Sequence, residues 1–205
     1  MQEGRGSAVR ELLGRIGASS IDVAGIARLL DSLGHEERVA AVCALGRGAQ
    51  RRLYRAVEGF RPLRLADLVP PSAGDLKPVR HFGRNTLPAF TRFEKRFCRP
   101  SGADPGHPAE LYGGNFQPLA RLTGPGYFVA REDPDRPEVW IDYHRVPAER
   151  PEGWPALRSN ERGPARLVYG FMLDTLRGVS EHVSIGSAAR RGRDLGSWFV
   201  LCRQD

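Results

Sequence analysis

Aromatic residues are partitioned along this chain, and the partition limits what it can fold into. Of the 17 Phe, Tyr and Trp side chains, only Tyr54 and Phe60 precede residue 76. Large flat rings favour pleated, half-buried surfaces. The first 75 residues offer Ala, Leu, Val, Gly and Arg instead, with apolar positions such as Val23, Ile26, Ala27 and Leu30 at i, i+3, i+4, i+7. That is the spacing of one helix face. The chain therefore divides into a helical segment, 1–75, and an aromatic, strand-rich domain, 76–205.

Within the first segment the pattern predicts short helices. One runs over 7–17 and one follows a cap at Ser19-Ser20. A third opens with the acids of His35-Glu36-Glu37, and a fourth passes through Leu53 to Gly59. Pro62, Pro70, Pro71, Gly74 and Pro78 mark a linker. Strand-like runs then recur at 81–85, 90–99, 110–117, 127–132, 139–146 and 197–203, although in the second Phe90, Phe93 and Phe97 also fit a helix at i, i+3, i+7. Turn residues such as Gly124-Pro125-Gly126 and Asp133-Pro134-Asp135 separate most of them. Short strands at such spacing predict an antiparallel barrel or strongly curved sheet. Leu167, Phe171, Asp174 and Thr175 fall on one helical face, so a late helix is expected over 164–178. The fold class is α+β: short helices packed on an antiparallel β-barrel, with one late helix.

The net charge is +7, and 29 of the 31 basic residues are Arg, with Lys77 and Lys95 the two lysines. The Ala, Gly and Arg bias is that of a GC-rich bacterial genome. Basic residues are spread evenly and no Lys/Arg tract exceeds two, so the stripe expected of a nucleic-acid surface is missing. A helix–turn–helix reading of Arg47, Arg51, Arg52 and Arg55 yields to a solvated face on a packing helix. Phe93-Glu94-Lys95-Arg96-Phe97, which fits the recipe for single-stranded nucleic acid, reads better as core aromatics beside surface charges. Cys43, Cys98 and Cys202 match no disulfide framework or zinc spacing and read as small buried hydrophobes. No metal site is expected, and nothing in the sequence names a cofactor. The N-terminus lacks the apolar run of a signal peptide, and no run is long enough to span a bilayer, so the expected location is the cytoplasm.

Chemistry is expected in the second domain. In Val139–Val146, strict alternation puts Trp140, Asp142 and His144 on one face and Tyr143 on the other. An Asp beside a His can orient the ring or raise its pKa, so His144 with Asp142 is a candidate base and Tyr143 a candidate donor. His81, Arg84 and Asn85, next to Phe82, are candidates for anchoring a ligand carboxylate or carbonyl, with Tyr127 and Trp140 as further wall residues. No G-x-S-x-G, P-loop or G-x-G-x-x-G is present.

The stretch Leu167–Asp174, followed by Leu176-Arg177-Gly178-Val179, His182–Gly186 and Ser197–Arg203, resembles the C-terminal part of bacterial GXWXG-domain proteins and of plastid fibrillins. The resemblance covers about a fifth of the chain and implies a lipocalin-like closed barrel around an apolar cavity. The GXWXG signature itself is absent, with Arg92–Phe97 in its place, and no family site residue carries over. Together these readings predict a protein that binds a small hydrophobic or amphipathic molecule. The alternatives are an acid–base isomerase, cyclase or lyase using the same cavity and, further off, a nucleic-acid-binding module. Oligomeric state is not legible.

Overall fold

The computed structural model describes residues 2–88, 91–116 and 124–205. Eight antiparallel strands follow one another around a closed barrel in chain order. They are β1 Val79–Asn85, β2 Arg92–Cys98, β3 Leu111–Phe116, β4 Phe128–Glu132, β5 Val139–Asp142, β6 Met172–Gly178, β7 Val183–Arg190 and β8 Arg193–Arg203. Pairing of β8 with β1 closes the ring and leaves no sheet edge to template aggregation. Four helices precede the barrel: α1 Gln2–Gly17, α2 Val23–Ser32, α3 His35–Val42 and α4 Arg47–Ala56. Among the described residues there are also two single-turn helices, α5 Leu65–Leu68, between α4 and the barrel, and α6 Ala165–Val168.

Two sequence expectations are corrected. The late helix stops at Val168, and Met172–Gly178 is strand β6, whose burial alternates around Asp174 and Leu176. Thr175 and Leu176 pair with Trp140 and Val139 of β5, and that ladder overrides a helical spacing that was equally legible in the sequence. Strand β7 adds a hairpin partner to β8. The cap of α2 is Asp22, whose carboxylate accepts from the Gly25 N–H at 2.8 Å, rather than the preceding serines.

The register sorts side chains into an inner and an outer layer. Inside, Phe97, Leu111, Phe128, Ala130, Val139, Ile141, Leu176, Phe199 and Leu201 form one buried cluster. Leu63, Leu65 and Leu68 join it, so α5 and the residues before it plug one end of the barrel. Outside, Val183, Ile185, Val200 and Cys202 on β7 and β8 pack against Leu12, Ile16, Ile26, Leu30, Leu45 and Leu53. The helical layer is therefore a second core built on the barrel's outer wall. A third cluster lies outside β2, β3 and β4, where Trp154 packs on Cys98, Tyr112, Tyr127 and Val129.

Arginines on the helices serve this packing. Arg52 donates to the Ile16 and Ala18 carbonyls, closing the end of α1. Arg47 donates to the Gly196 carbonyl and lies over the Trp198 ring. All three cysteines are free and buried. Among the described residues no helix is long and apolar enough to cross a membrane.

Candidate functional site

The end of the barrel opposite α5 is open to a cavity of about 290 Å³. Phe93, Tyr169, Met172, Trp198 and Phe199 contribute to its apolar wall. Asn85, Leu87, Leu167, Arg190 and Leu195 also line it. Arg190 donates to the Leu167 and Val168 carbonyls, tying α6 to β7 beside the cavity.

A polar cluster also lines the cavity, from within the wall. Lys95 stands on β2 between Phe93 and Phe97, opposite Asn115 on β3. Its ammonium donates to Asn115 Oδ1 at 2.8 Å and to the Tyr143 hydroxyl at 2.5 Å. Asn115 Nδ2 donates to the same hydroxyl at 3.1 Å and to the Gly126 carbonyl at 3.3 Å. Asp174 of β6 places Oδ2 3.8 Å from Lys95 Nζ, beyond direct hydrogen-bond reach. Its Oδ1 is buried and has no hydrogen-bond partner among the described residues. Lys95, Tyr143 and Asp174 are each only 2% exposed, so these charges lie in a low-dielectric interior.

Burial dominates the electrostatics. It pulls the Lys95 ammonium well below the ordinary lysine range, and the nearby Asp174 carboxylate opposes the shift. It pushes the Asp174 carboxyl above the ordinary range, opposed by Lys95 and by the Tyr143 hydroxyl. It holds the Tyr143 phenol in its protonated form, reinforced by the Asp174 charge. Four aromatic faces, of Phe93, Phe128, Tyr143 and Phe199, lie 4.9–5.8 Å from Lys95 Nζ. They stabilise a cation there in place of water.

Of the residues singled out in the sequence, Tyr143 and Asn85 line the cavity. Tyr143 follows β5 and still pairs with β6, its N–H donating to the Met172 carbonyl. Its ring stacks on Tyr169 at 5.6 Å. His81 is also inside the barrel, at the plugged end. There its Nε2–H donates to the Leu68 carbonyl at 3.0 Å, and burial drives its pKa down to about 3.

The other candidates face elsewhere. Arg84 points outward and donates to the Cys43 and Ala44 carbonyls at the end of α3. Tyr127 stacks on Trp154 outside the barrel and donates to the Pro155 carbonyl. Trp140 alternates with the inward Val139 and Ile141 and is half-buried. Asp142 accepts from the backbone N–H of His144 and from Arg131, not from the imidazole. The His144 ring is exposed and its nearest acid is Glu161 at 3.4 Å. The structure therefore separates Tyr143 from His144 and Asp142, as strand alternation predicts.

Lys95, Asn115 and Asp174 were not among the sequence candidates. Lys95 belonged to a string read as surface charge, yet it shares a strand face with Phe93 and Phe97 while Glu94 and Arg96 pair outside. A usable signal existed: one of two lysines in a chain whose other 29 basic residues are arginine, centred between two phenylalanines at period two. Asp174 was hidden by the helical reading of its segment. No family model matches the chain, and neither does any curated protein or solved structure.

Proposed function

We propose that this protein binds a small, largely apolar molecule carrying one polar group, held inside the barrel with its apolar body against Phe93, Tyr169, Met172 and Phe199. The observation that carries this reading is a cavity of about 290 Å³ with an aromatic wall into which Lys95, Asn115, Tyr143 and Asp174 converge. Apolar pockets with a few convergent polar groups are the usual form of small-molecule sites, and this one is near the lower end of their range of about 300–1,000 Å³. The ligand is accordingly compact. Acid–base catalysis on the bound molecule is the second reading. It is favoured by Lys95 and Asp174 both being displaced toward neutrality at one site.

The test fills the cavity. Ala188 lines it and stands opposite Asp174 across the β6–β7 ladder. Native mass spectrometry and calorimetry against compact aromatic and medium-chain alcohols, acids and aldehydes should show one-to-one binding by the native protein. Ala188→Trp should remove that binding while the circular dichroism spectrum is kept. Equal binding by both proteins would place the ligand elsewhere and overturn the reading.

A further inference from the structure

We infer that Lys95 is a Schiff-base lysine, and that the compact apolar molecules this cavity takes are aldehydes or ketones captured as an imine on Nζ. The inference rests on the cavity-binding reading above and names its ligand class.

Three observations carry it. First, Lys95 is buried against the cavity and its ion-pair partner Asp174 is not in hydrogen-bond contact with it: Asp174 Oδ2 is 3.8 Å away, and the 2.5–2.8 Å contacts are to the neutral groups of Tyr143 and Asn115. A buried pair repays desolvation only with good geometry, so the 3.8 Å separation is poorly suited to a purely structural role. Second, Asp174 Oδ1 is buried at the same cavity with no hydrogen-bond partner among the described residues, an acceptor available to a ligand-derived hydroxyl or ammonium. Third, the chain uses Arg at 29 of its 31 basic positions. Arg cannot become a nucleophile at neutral pH, whereas a desolvated lysine can.

The chemistry balances with these groups alone. The lone pair of neutral Nζ attacks the carbonyl carbon, forming the C–N bond, and the C=O π pair moves to oxygen. The new ammonium passes one proton through the Tyr143 hydroxyl to the alkoxide, so that Tyr143 stays protonated and a neutral carbinolamine forms, while the proton that Lys95 first gave up rests on Asp174. Asp174, now a carboxylic acid, protonates the hydroxyl, which leaves as water while nitrogen forms the C=N bond. The product is a protonated iminium facing the Asp174 carboxylate, the form that cyanoborohydride reduces. The sum is ammonium plus carbonyl giving iminium plus water, with Asp174 a carboxylate before and after and no oxidant or reductant. The aromatic faces around Nζ stabilise the iminium as they stabilise the ammonium.

The experiment uses the full chain with trans-cinnamaldehyde as probe and sodium cyanoborohydride to fix any imine as a secondary amine, followed by peptide mapping. Cinnamyl alcohol, of the same shape without a carbonyl, is titrated in parallel. Native protein should take one saturable adduct on Lys95, blocked by excess cinnamyl alcohol. Lys77→Arg should keep the adduct and Lys95→Arg should lose it. Tyr143→Phe should slow trapping by about 10²-fold, the usual scale for a positioned proton donor. Mapping on the native protein decides the matter even if a Lys95 variant fails to fold. An adduct confined to Lys77 or the amino terminus, with cinnamyl alcohol still bound in the cavity, would overturn the imine and leave the binding reading standing. Binding of neither compound would overturn both.

Discussion

At Lys95, one substitution changes the charge balance of the interior. Replacing it with Met leaves Asp174 buried without a cation, and breaking such a pair typically costs about 3–5 kcal/mol. The sign of the pH dependence follows from Asp174. Its folded-state pKa is already raised, with Lys95 holding it down, so removing Lys95 raises it further. A raised carboxyl contributes stability in full below its unfolded pKa of about 3.9 and loses it as pH rises through the folded value. Lys95→Met should therefore lag the native protein most at neutral pH, and the gap in urea midpoint should close as pH falls toward about 4. The double variant Lys95→Met/Asp174→Leu should regain most of the loss, since apolar replacement of a buried pair is often neutral or stabilising.

His81 titrates with the opposite sign. Its pKa is depressed to about 3 by burial, so the unfolded chain binds a proton that the native state refuses. Stability from this group is complete above about pH 6.5 and is lost as pH falls toward the folded value, at up to about 1.4 kcal/mol per pH unit. His81→Asn should flatten the acid limb of a stability–pH curve measured by denaturant titration. An unchanged limb would assign acid sensitivity to other groups.

At the scale of strands, the cavity depends on glycines that face inward. A Cβ at Gly186 would stand 2.3 Å from the Phe199 ring, and one at Gly113 equally close to the Phe128 ring. Each glycine lets a neighbouring strand's phenylalanine lie across it, and both rings face Lys95. Gly186→Ala should push Phe199 into the cavity, destabilise by about 1–3 kcal/mol as overpacking does, and weaken ligand binding in the same calorimetric assay. Binding and stability matching the native protein would show that the ring relocates freely. These strands also show what was legible beforehand. Period-two alternation located β1, β2, β4 and β8 within a few residues, because local pattern and tertiary demand agree there. It failed at β6, where Asp174 and Thr175 sit among apolar residues on both faces. Met172 and Asp174 of β6 line the cavity, so the inner face carries a charged residue while Leu173 lies on the outer face, and no clean apolar–polar alternation distinguishes strand from helix. For the same reason the site was half legible. Tyr143 follows from alternation in its own strand, but the Lys95–Asp174 proximity arises from the closure of β2 and β6 across the barrel. No local spacing encodes that closure.

The whole molecule is held together where the helical layer meets the barrel, and Arg177 is the clearest joint. From β6 it donates to the buried Glu138 at 2.7 Å and to the Tyr54 carbonyl of α4 at 2.9 Å. It reaches Glu58 at 3.1 Å and stacks over the Tyr54 ring at 4.1 Å. Arg177 and Glu138 are both buried, and the apolar cluster beside them joins Leu53 and Val57 of the helical layer to Val179 and Ile185 of the barrel. Helices 1–56 therefore share one core with β7 and β8 rather than possessing a core of their own, and the two parts should unfold together. Arg177→Ala strands Glu138 without its cation and should cost about 3–5 kcal/mol. Since the joint belongs to both layers, hydrogen exchange should accelerate together in α4 and in β6–β8, within a single thermal transition. Arg177→Ala/Glu138→Ala should be less damaging than the single variant, because no charge remains buried alone. Loss of protection confined to α1–α4, with the barrel amides unchanged, would show instead that the helical layer is a separable appendage.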